Sequence, residues 1–256
     1  MTTPITFAGV NFNTWPEPDA DGCWWSMRVP KGWGNPPQQV DIVEPTIAPG
    51  GSQAANRRKP WPMVANLIVR APSDAAADAA YERCFEMPGD GLDRSAVLLV
   101  GGTTPKWVQV IQTAADVKEP NGTRLVFATL ELAALFPFKR GADERTTTLA
   151  PGETKTLTNA GTRAAFLTFT TTGSGTVQVR QNGTGQVLRT KTSVASGTVF
   201  DCYDQSVTTA GGLEVFPMGS PSEWLSIPGG TVDAPATTSV TNQGTAPLDV
   251  SYYDTY

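Results

Sequence analysis

The residue types that most often carry enzyme chemistry are scarce in this sequence of 256 residues. It contains no histidine, which excludes Ser-His-Asp and Cys-His catalysis and every imidazole-bound zinc site. The cysteines Cys23, Cys84 and Cys202 are widely spaced and form no CxxC pair, so we expect reduced, buried thiols. GxGxxG and P-loop motifs are missing as well. We therefore expect no catalytic residue, no cofactor and no metal.

Carboxylates leave one catalytic class open. A glycosidase with paired carboxylates could use two of the acidic residues Asp201, Asp204, Glu214 and Glu223. The simpler interpretation places these side chains at solvated strand ends and turns, because the acidic content of the chain is near average. We therefore interpret the chain as a binding or structural protein and not as an enzyme.

Tryptophans in loops are the residues best suited to binding. Trp and Arg dominate the energetics of protein interfaces, and a long loop without its own secondary structure is usually functional or disordered. One tryptophan lies in a Gly- and Pro-containing loop, and another follows three basic residues at the end of a long Gly/Pro-rich stretch. The alternative is that each tryptophan covers a local minicore under its loop. The predicted protein–protein interface consists of Trp33, Arg57, Arg58, Lys59 and Trp61.

A second pair of aromatic residues lies in the C-terminal half. Tyr203 and Trp224 could together form a platform on which a sugar ring stacks. Packing into the core of a β-sandwich is the interpretation that we favour for both. Tyr203 and Trp224 are retained as candidate glycan contacts under the alternative interpretation.

Composition and periodicity indicate which elements position these residues. The 25 glycines and 21 prolines favour many short strands joined by tight turns. One helix is predicted near 73–87, with Ser73 as its N-cap and its end before Pro88. Residues 153–256 show about nine short strands and a strong Asn182-Gly183 hairpin signal, typical of a sandwich or jelly roll.

A change of composition divides the chain. Threonine occurs 10 times in residues 1–140 and 24 times in residues 141–256, whereas Lys plus Arg falls from 13 to 6. Pro137 and Gly141 should interrupt regular structure between the halves. We predict a mainly β protein with a β-sandwich-like first domain at 1–140, a linker at 141–152 and a second β-sandwich at 153–256.

Charge and hydropathy exclude further classes. The net charge of -5 argues against a nucleic-acid binder, which usually presents a basic face. No apolar run is long enough to span a membrane, and the N-terminus lacks the features of a signal peptide. We therefore expect a protein made in the cytoplasm, without a membrane span and without direct readout of nucleic acid.

The order of these features resembles the distal tail proteins, or minor tail proteins, of bacteriophages with long non-contractile tails. The resemblance depends on an N-x-G strand entry, a G-x-x-hydrophobic-D strand and a hydrophobic-x-L-x-P-G strand entry. They lie at Asn159–Gly161, Gly197–Asp201 and Trp224–Gly229. The family often has Gly-Asn after this last Pro-Gly, where the chain has Gly230-Thr231.

The resemblance implies a virion protein of the tail tip, assembled in the host cytoplasm. It further implies a galectin-like second domain and a ring, commonly a hexamer, formed by the first domain. Expected neighbours are the tail tube protein and the tail-associated or hub protein, with the tape-measure protein as a further candidate. Because a ring needs two different adhesive faces, residues 31–62 and the strand edges near 105–112 are our candidates for them. The alternative function is a carbohydrate-binding module that recognises cell-surface glycan.

Overall fold

The fold was analysed in a computed structural model. It describes residues 3–34, 42–43, 52–53, 61–87, 95–120, 122–134, 136, 138–209, 211–214, 218–219, 222–231 and 233–256. The chain divides into two compact units, Met1–Lys139 and Arg140–Tyr256. Strands dominate both units, and the described residues contain a single helix, so the predicted mainly β fold class is confirmed. Within those residues, no helix has the length and apolar character needed to cross a bilayer.

Within the described residues, the first unit contains nine strands and the helix. Their bounds are β1 (Ile5–Phe7), β2 (Val10–Phe12), β3 (Trp24–Met27), β4 (Ile42–Val43), β5 (Ser52–Gln53), β6 (Trp61–Arg70), α1 (Asp74–Glu86), β7 (Ser95–Val100), β8 (Lys106–Lys118) and β9 (Leu125–Ala134). Seven of these strands form one antiparallel sheet in the order β2-β1-β7-β8-β9-β6-β3. Strands β4 and β5 pair with each other.

The two ends of this sheet meet. Phe12 of β2 packs edge-on against Trp25 of β3, with ring centroids 6.0 Å apart. The Asn13 backbone N–H donates to the Trp25 carbonyl at 2.9 Å. The sheet therefore curls around a single core, which receives the inward, alternate side chains of every strand in it. A register shift in β8 between Gln112 and Ala114 supplies a bend in that strand.

Helix α1 lies where the sequence predicts it, near 73–87. The Ser73 hydroxyl accepts from the Ala76 backbone N–H at 3.2 Å, which satisfies one of the free donors of the first turn. Its buried residues are Ala77, Ala80 and Cys84, at helical spacing. Their small side chains allow the helix to lie close to the sheet, and it contacts β6, β8 and β9.

The described residues of the second unit form twelve strands. Their bounds are β10 (Arg140–Leu149), β11 (Thr154–Asn159), β12 (Ala165–Phe166), β13 (Thr168–Thr171), β14 (Gln178–Gln181), β15 (Val187–Arg189), β16 (Val199–Asp201), β17 (Ser206–Thr209), β18 (Gly212–Glu214), β19 (Ser226–Ile227), β20 (Ala236–Asn242) and β21 (Leu248–Thr255). One sheet has the order β18-β17-β16-β13-β21-β10, and a second has the order β11-β20-β14-β15. Strands β12 and β19 form a separate pair.

Both sheets of the second unit contribute to one apolar core. Phe169 and Phe200 come from the first sheet, and Val179 and Val240 come from the second; all four are fully buried. Two antiparallel sheets that share a core form a β-sandwich. Along β20 the buried residues Thr238, Val240 and Asn242 alternate with more exposed ones, because successive side chains of a strand point to opposite faces.

The prediction of a linker at 141–152 is wrong for most of its length. Strand β10 occupies Arg140–Leu149 and pairs with β21. The β-branched run Thr146–Thr148 favours an extended strand. A register shift between Arg140 and Glu144 accommodates the Gly141 region without ending the pairing. The boundary between the two compact units lies between Lys139 and Arg140.

Candidate interaction surfaces

Trp61, one of the predicted interface residues, is a core residue within this chain. It opens β6 and is 1% exposed. Its indole Nε1–H donates to the Gly32 carbonyl at 2.7 Å, and its ring stacks on Trp33 at a centroid distance of 6.2 Å. The partly buried Trp33 packs against the same core. The two rings thus anchor the loop at 31–34. This agrees with the alternative interpretation that each tryptophan covers a local minicore under its loop.

A lysine completes this arrangement. The Lys139 Nζ donates to the Gly34 carbonyl at 2.6 Å and lies 5.1 Å from the Trp33 ring centroid and 5.6 Å from that of Trp61. Burial lowers the pKa of Lys139, and the positive charge of Lys106 lowers it further. The cluster holds the loop at 31–34 to the end of the first unit. The basic residues Arg57, Arg58 and Lys59 lie outside the described residues, so the predicted interface involving them stays a prediction.

The candidate glycan contacts are both partly buried in the second unit. Tyr203 packs edge-on against Phe166 at 5.1 Å, and the Arg140 guanidinium lies 5.9 Å from its ring centroid. Trp224 packs against the core of the unit. These contacts account for both aromatic residues as packing groups, and a glycan-binding role for them stays a prediction.

The acidic residues near Tyr203 act as turn-forming groups. One carboxylate oxygen of Asp201 accepts the backbone N–H groups of Tyr203, at 2.8 Å, and Asp204, at 3.1 Å. Burial raises the pKa of Asp204, and the negative charge of Asp201 raises it further. Glu223 is exposed. Within the described residues no group of three or more Cys, Asp or Glu side chains could hold a metal ion.

The sequence motifs that carry the family resemblance are structural. Asn159 is buried, and its Nδ2 donates to the carbonyls of Arg163 at 2.6 Å and Pro228 at 2.9 Å. Its Oδ1 accepts the Gly161 backbone N–H at 2.9 Å. A side chain at Gly161 would collide with the backbone of Thr255. The N-x-G motif therefore closes a tight turn at the end of β11.

A second N-x-G turn, not among the motifs predicted from the sequence, has the same design. The Nδ2 of buried Asn242 donates to the carbonyls of Leu149 at 3.1 Å and Ala246 at 2.9 Å, while its Oδ1 accepts the Gly244 N–H at 3.0 Å. A side chain at Gly244 would collide with the Thr176 carbonyl. The repeated spacing of asparagine and glycine was the signal available in the sequence.

The outer face of β3, β6 and β9 is rich in exposed apolar side chains. Cross-strand pairing places Ile68 opposite Phe127, and these residues are 45% and 44% exposed. In the next row of this face, Leu125 lies opposite Arg70, which in turn lies opposite Trp24. The predicted interface was based on tryptophans in loops, which give no indication of a surface carried by strands.

Two tryptophans and a pocket lie at one end of this face. Trp15 is 68% exposed and stacks at a tilt on Trp24, with ring centroids 5.6 Å apart. The Arg70 guanidinium lies 5.7 Å from the centroid of the Trp24 ring, within cation–π distance. A pocket of about 420 Å³ opens beside them, lined by Trp24, Arg70, Ala71, Pro72, Thr123, Arg124 and Leu125.

The outer face of β1, β7 and the first half of β8 is uncharged and mixes apolar with polar side chains. Val97 is 49% exposed, and Leu99 and Ile111 point to the same side. Polar side chains on this face bond to one another. Thr6 Oγ1 donates to Asn11 Oδ1 at 2.9 Å, and Gln109 Nε2 donates to Ser95 Oγ at 3.2 Å.

Comparisons with known proteins support the fold. No family model matches the sequence, and no curated protein matches it. Among solved structures, the chain is similar over 100% of both lengths to the Dit protein of phage SPP1, at 13% identity and a TM-score of 0.67. That protein is described as a paradigm of the hub adsorption apparatus in phages that infect Gram-positive bacteria. The chain is also similar to a chain of the phage P2 baseplate in its Ca-activated conformation, over 98% of both lengths, at 7% identity and a TM-score of 0.52. The resemblance inferred from the turn motifs is thereby confirmed at the level of the fold.

Proposed function

We propose that this chain is a distal tail protein, a structural component of the tail tip of a long-tailed phage. The observation that carries the proposal is the likeness to the SPP1 Dit protein over the full length of both chains. A match restricted to one β-sandwich would be expected of many unrelated proteins, because this architecture serves many functions. Similarity that includes both units in the same order is a far stronger constraint.

In this role the chain forms a ring that joins the tail tube to the baseplate or hub and to the host-recognition apparatus. Its neighbours are further copies of itself, the tail tube protein and the tail-associated or hub protein. The exposed apolar faces of the first unit support an assembling protein, because large exposed apolar patches usually mark interaction sites. The role requires no catalysis. The buried thiols are consistent with this, since burial raises the pKa values of Cys84 and Cys202 to about 12.

The test is assembly of the purified full chain, alone and with the tail tube protein of the same phage. We expect rings of uniform diameter in electron micrographs, and rings attached to tube ends when the tube protein is present. A chain that stays monomeric in both conditions, at concentrations where the tube protein polymerises, contradicts the proposal. A glycan array probed with the full chain addresses the carbohydrate-binding alternative. Binding that is abolished by Tyr203→Ala and Trp224→Ala would favour that alternative.

A further inference from the structure

Two outer faces of the first unit are suited to protein contact, and they differ from each other. The tryptophan face consists of the outward side chains Trp15, Trp24, Ile68, Leu125 and Phe127. The valine face consists of the outward side chains Thr6, Asn11, Ser95, Val97, Leu99, Trp107, Gln109 and Ile111. We infer that the valine face of one copy packs against the tryptophan face of the next copy, an inference that rests on the proposed ring-forming function.

The topology places the two faces on opposite sides of the unit. In the closed order β2-β1-β7-β8-β9-β6-β3, strands β7 and β6 are three places apart, which is the largest separation available. Inward neighbours from both strands, such as Leu98 and Leu67, lie in the same core. Their outward neighbours must therefore point away from that core in opposite directions. Two different faces on one unit produce a head-to-tail contact, and such contacts close into a ring when the rotation from copy to copy closes, as the proposed function requires.

The exposed area of the tryptophan face is appropriate for the centre of such a contact. Trp15, Ile68 and Phe127 are 68%, 45% and 44% exposed. At roughly 180–250 Å² for a fully exposed large side chain, these three residues present on the order of 300 Å² of mostly apolar surface. A stable interface buries about 800 Å² on each partner, with an apolar centre and a polar rim. The adjacent pocket beside Trp24 offers a recess for a partner side chain.

The valine face has the composition expected of an interface centre. Its members, all within the described strands, include no Lys, Arg, Asp or Glu, and depletion of charge is the compositional mark of buried interface centres. Its polar groups already bond to each other in the pairs Thr6–Asn11 and Gln109–Ser95. Removing this face from water therefore costs less than removing unpaired polar groups. On the tryptophan face, Thr129 Oγ1 likewise donates to the neighbouring Asn66 Oδ1 at 3.1 Å.

The experiment places a lysine on each face of the full chain. Phe127→Lys alters the tryptophan face and Val97→Lys the valine face, and both positions are about half exposed, so folding should tolerate the change. Matched controls are Phe85→Lys, on α1 and 44% exposed, and Val29→Lys, 42% exposed, neither of which lies on the two faces. Circular dichroism melting shows whether each variant is folded. Sedimentation velocity and electron microscopy report assembly.

We expect both face variants to be monomeric, with subunit affinity at least about 30-fold weaker, as for loss of an interface hot spot. The two control variants should form rings like the unaltered chain. A mixture of the Phe127→Lys and Val97→Lys chains should form a 1:1 dimer and nothing larger, because each retains the one face that the other needs.

Other outcomes overturn the inference in distinguishable ways. If the unaltered chain forms rings and either face variant also forms them, the assignment of faces is wrong and the proposed function stands. If the Val97→Lys chain dimerises by itself, the tryptophan face pairs with its own copy and the contact is not head-to-tail. If the unaltered chain forms no ring even with the tube protein, the proposed function fails, and this inference with it.

Discussion

Asn13 is the residue through which the two ends of the first sheet are held together. Its Nδ2 donates to the carbonyls of Thr3 and Met27, both at 2.8 Å. Its Oδ1 accepts from the Met27 backbone N–H at 3.1 Å and from the Ser26 hydroxyl at 3.2 Å. The residue has a φ of 64°, in the left-handed region that asparagine tolerates better than most residues. We predict that Asn13→Ala destabilises the first unit strongly.

The magnitude follows from these contacts. Four hydrogen bonds at a net value of about 1 kcal/mol each give about 4 kcal/mol. Alanine in the left-handed conformation adds about 1 kcal/mol, which glycine avoids. The free energy of unfolding should therefore fall by about 5 kcal/mol in Asn13→Ala and by about 4 kcal/mol in Asn13→Gly. Asn13→Asp keeps the acceptors but loses both Nδ2 donations, so a loss of about 2 kcal/mol is the minimum expected.

Urea unfolding followed by tryptophan fluorescence measures these losses, because the buried Trp25 lies at the junction of the two strands. Hydrogen exchange at the Met27 amide provides a local readout, since that N–H bonds to the Asn13 side chain. We expect its protection to fall in the alanine and glycine variants. The reasoning is refuted if Asn13→Ala unfolds within about 1 kcal/mol of the unaltered chain and Met27 keeps its protection.

Three further predictions concern packing, an ion pair and pH. Trp61→Phe removes the indole bond to the Gly32 carbonyl and should lower the free energy of urea unfolding by about 1–2 kcal/mol; an unchanged midpoint would contradict this. Arg145 bonds to both carboxylate oxygens of Asp254 at 2.7–3.0 Å, a contact that the single ammonium group of lysine does not reproduce. Thermal melting should therefore show that Arg145→Lys lowers the free energy of unfolding nearly as much as Arg145→Ala does, by about 1–2 kcal/mol. Burial raises the pKa of Asp204 in the folded state, so the folded state binds more protons than the unfolded state. The contribution of Asp204 to stability therefore decreases as pH rises from about 3.9 through the pKa of the folded state. The stability of Asp204→Asn relative to the unaltered chain should therefore be higher at pH 7 than at pH 3. If urea titrations give the same stability difference between the two chains at both pH values, this prediction is refuted.

Local patterns identified the helix and the turn motifs reliably. The N-cap Ser73 and the small residues after it are sufficient to specify a helix at this position. The N-x-G turn at Asn159 depends on a side chain that bonds to nearby backbone groups, and such bonds follow from local spacing. Composition failed at the predicted linker, because Gly141 does not end a strand when a partner strand is available to pair with it. Strand β21, more than 100 positions later in the chain, supplies that partner.

The interaction surfaces, in contrast, were not indicated by local sequence patterns. The sequence indicated that Trp61 was available to a partner, whereas the fold buries it under Trp33. Nothing in the local pattern of β6 shows that the outward residue Ile68 lies opposite Phe127, because the register between β6 and β9 joins residues almost sixty positions apart. The side on which a strand residue is buried depends on its partner strands and on the core that they enclose.

The sequence by itself determined the class of fold, the position of the helix, the absence of histidine-based chemistry and the turn motifs shared with a tail-tip family. These properties depend on residue types and on spacings of a few positions, within which backbone preferences and short side-chain bonds act. Only the tertiary structure decided that β10 is a strand, that Trp61 is buried and that two different outer faces point away from one core. Each of these depends on pairings between distant segments, whose register no local preference determines.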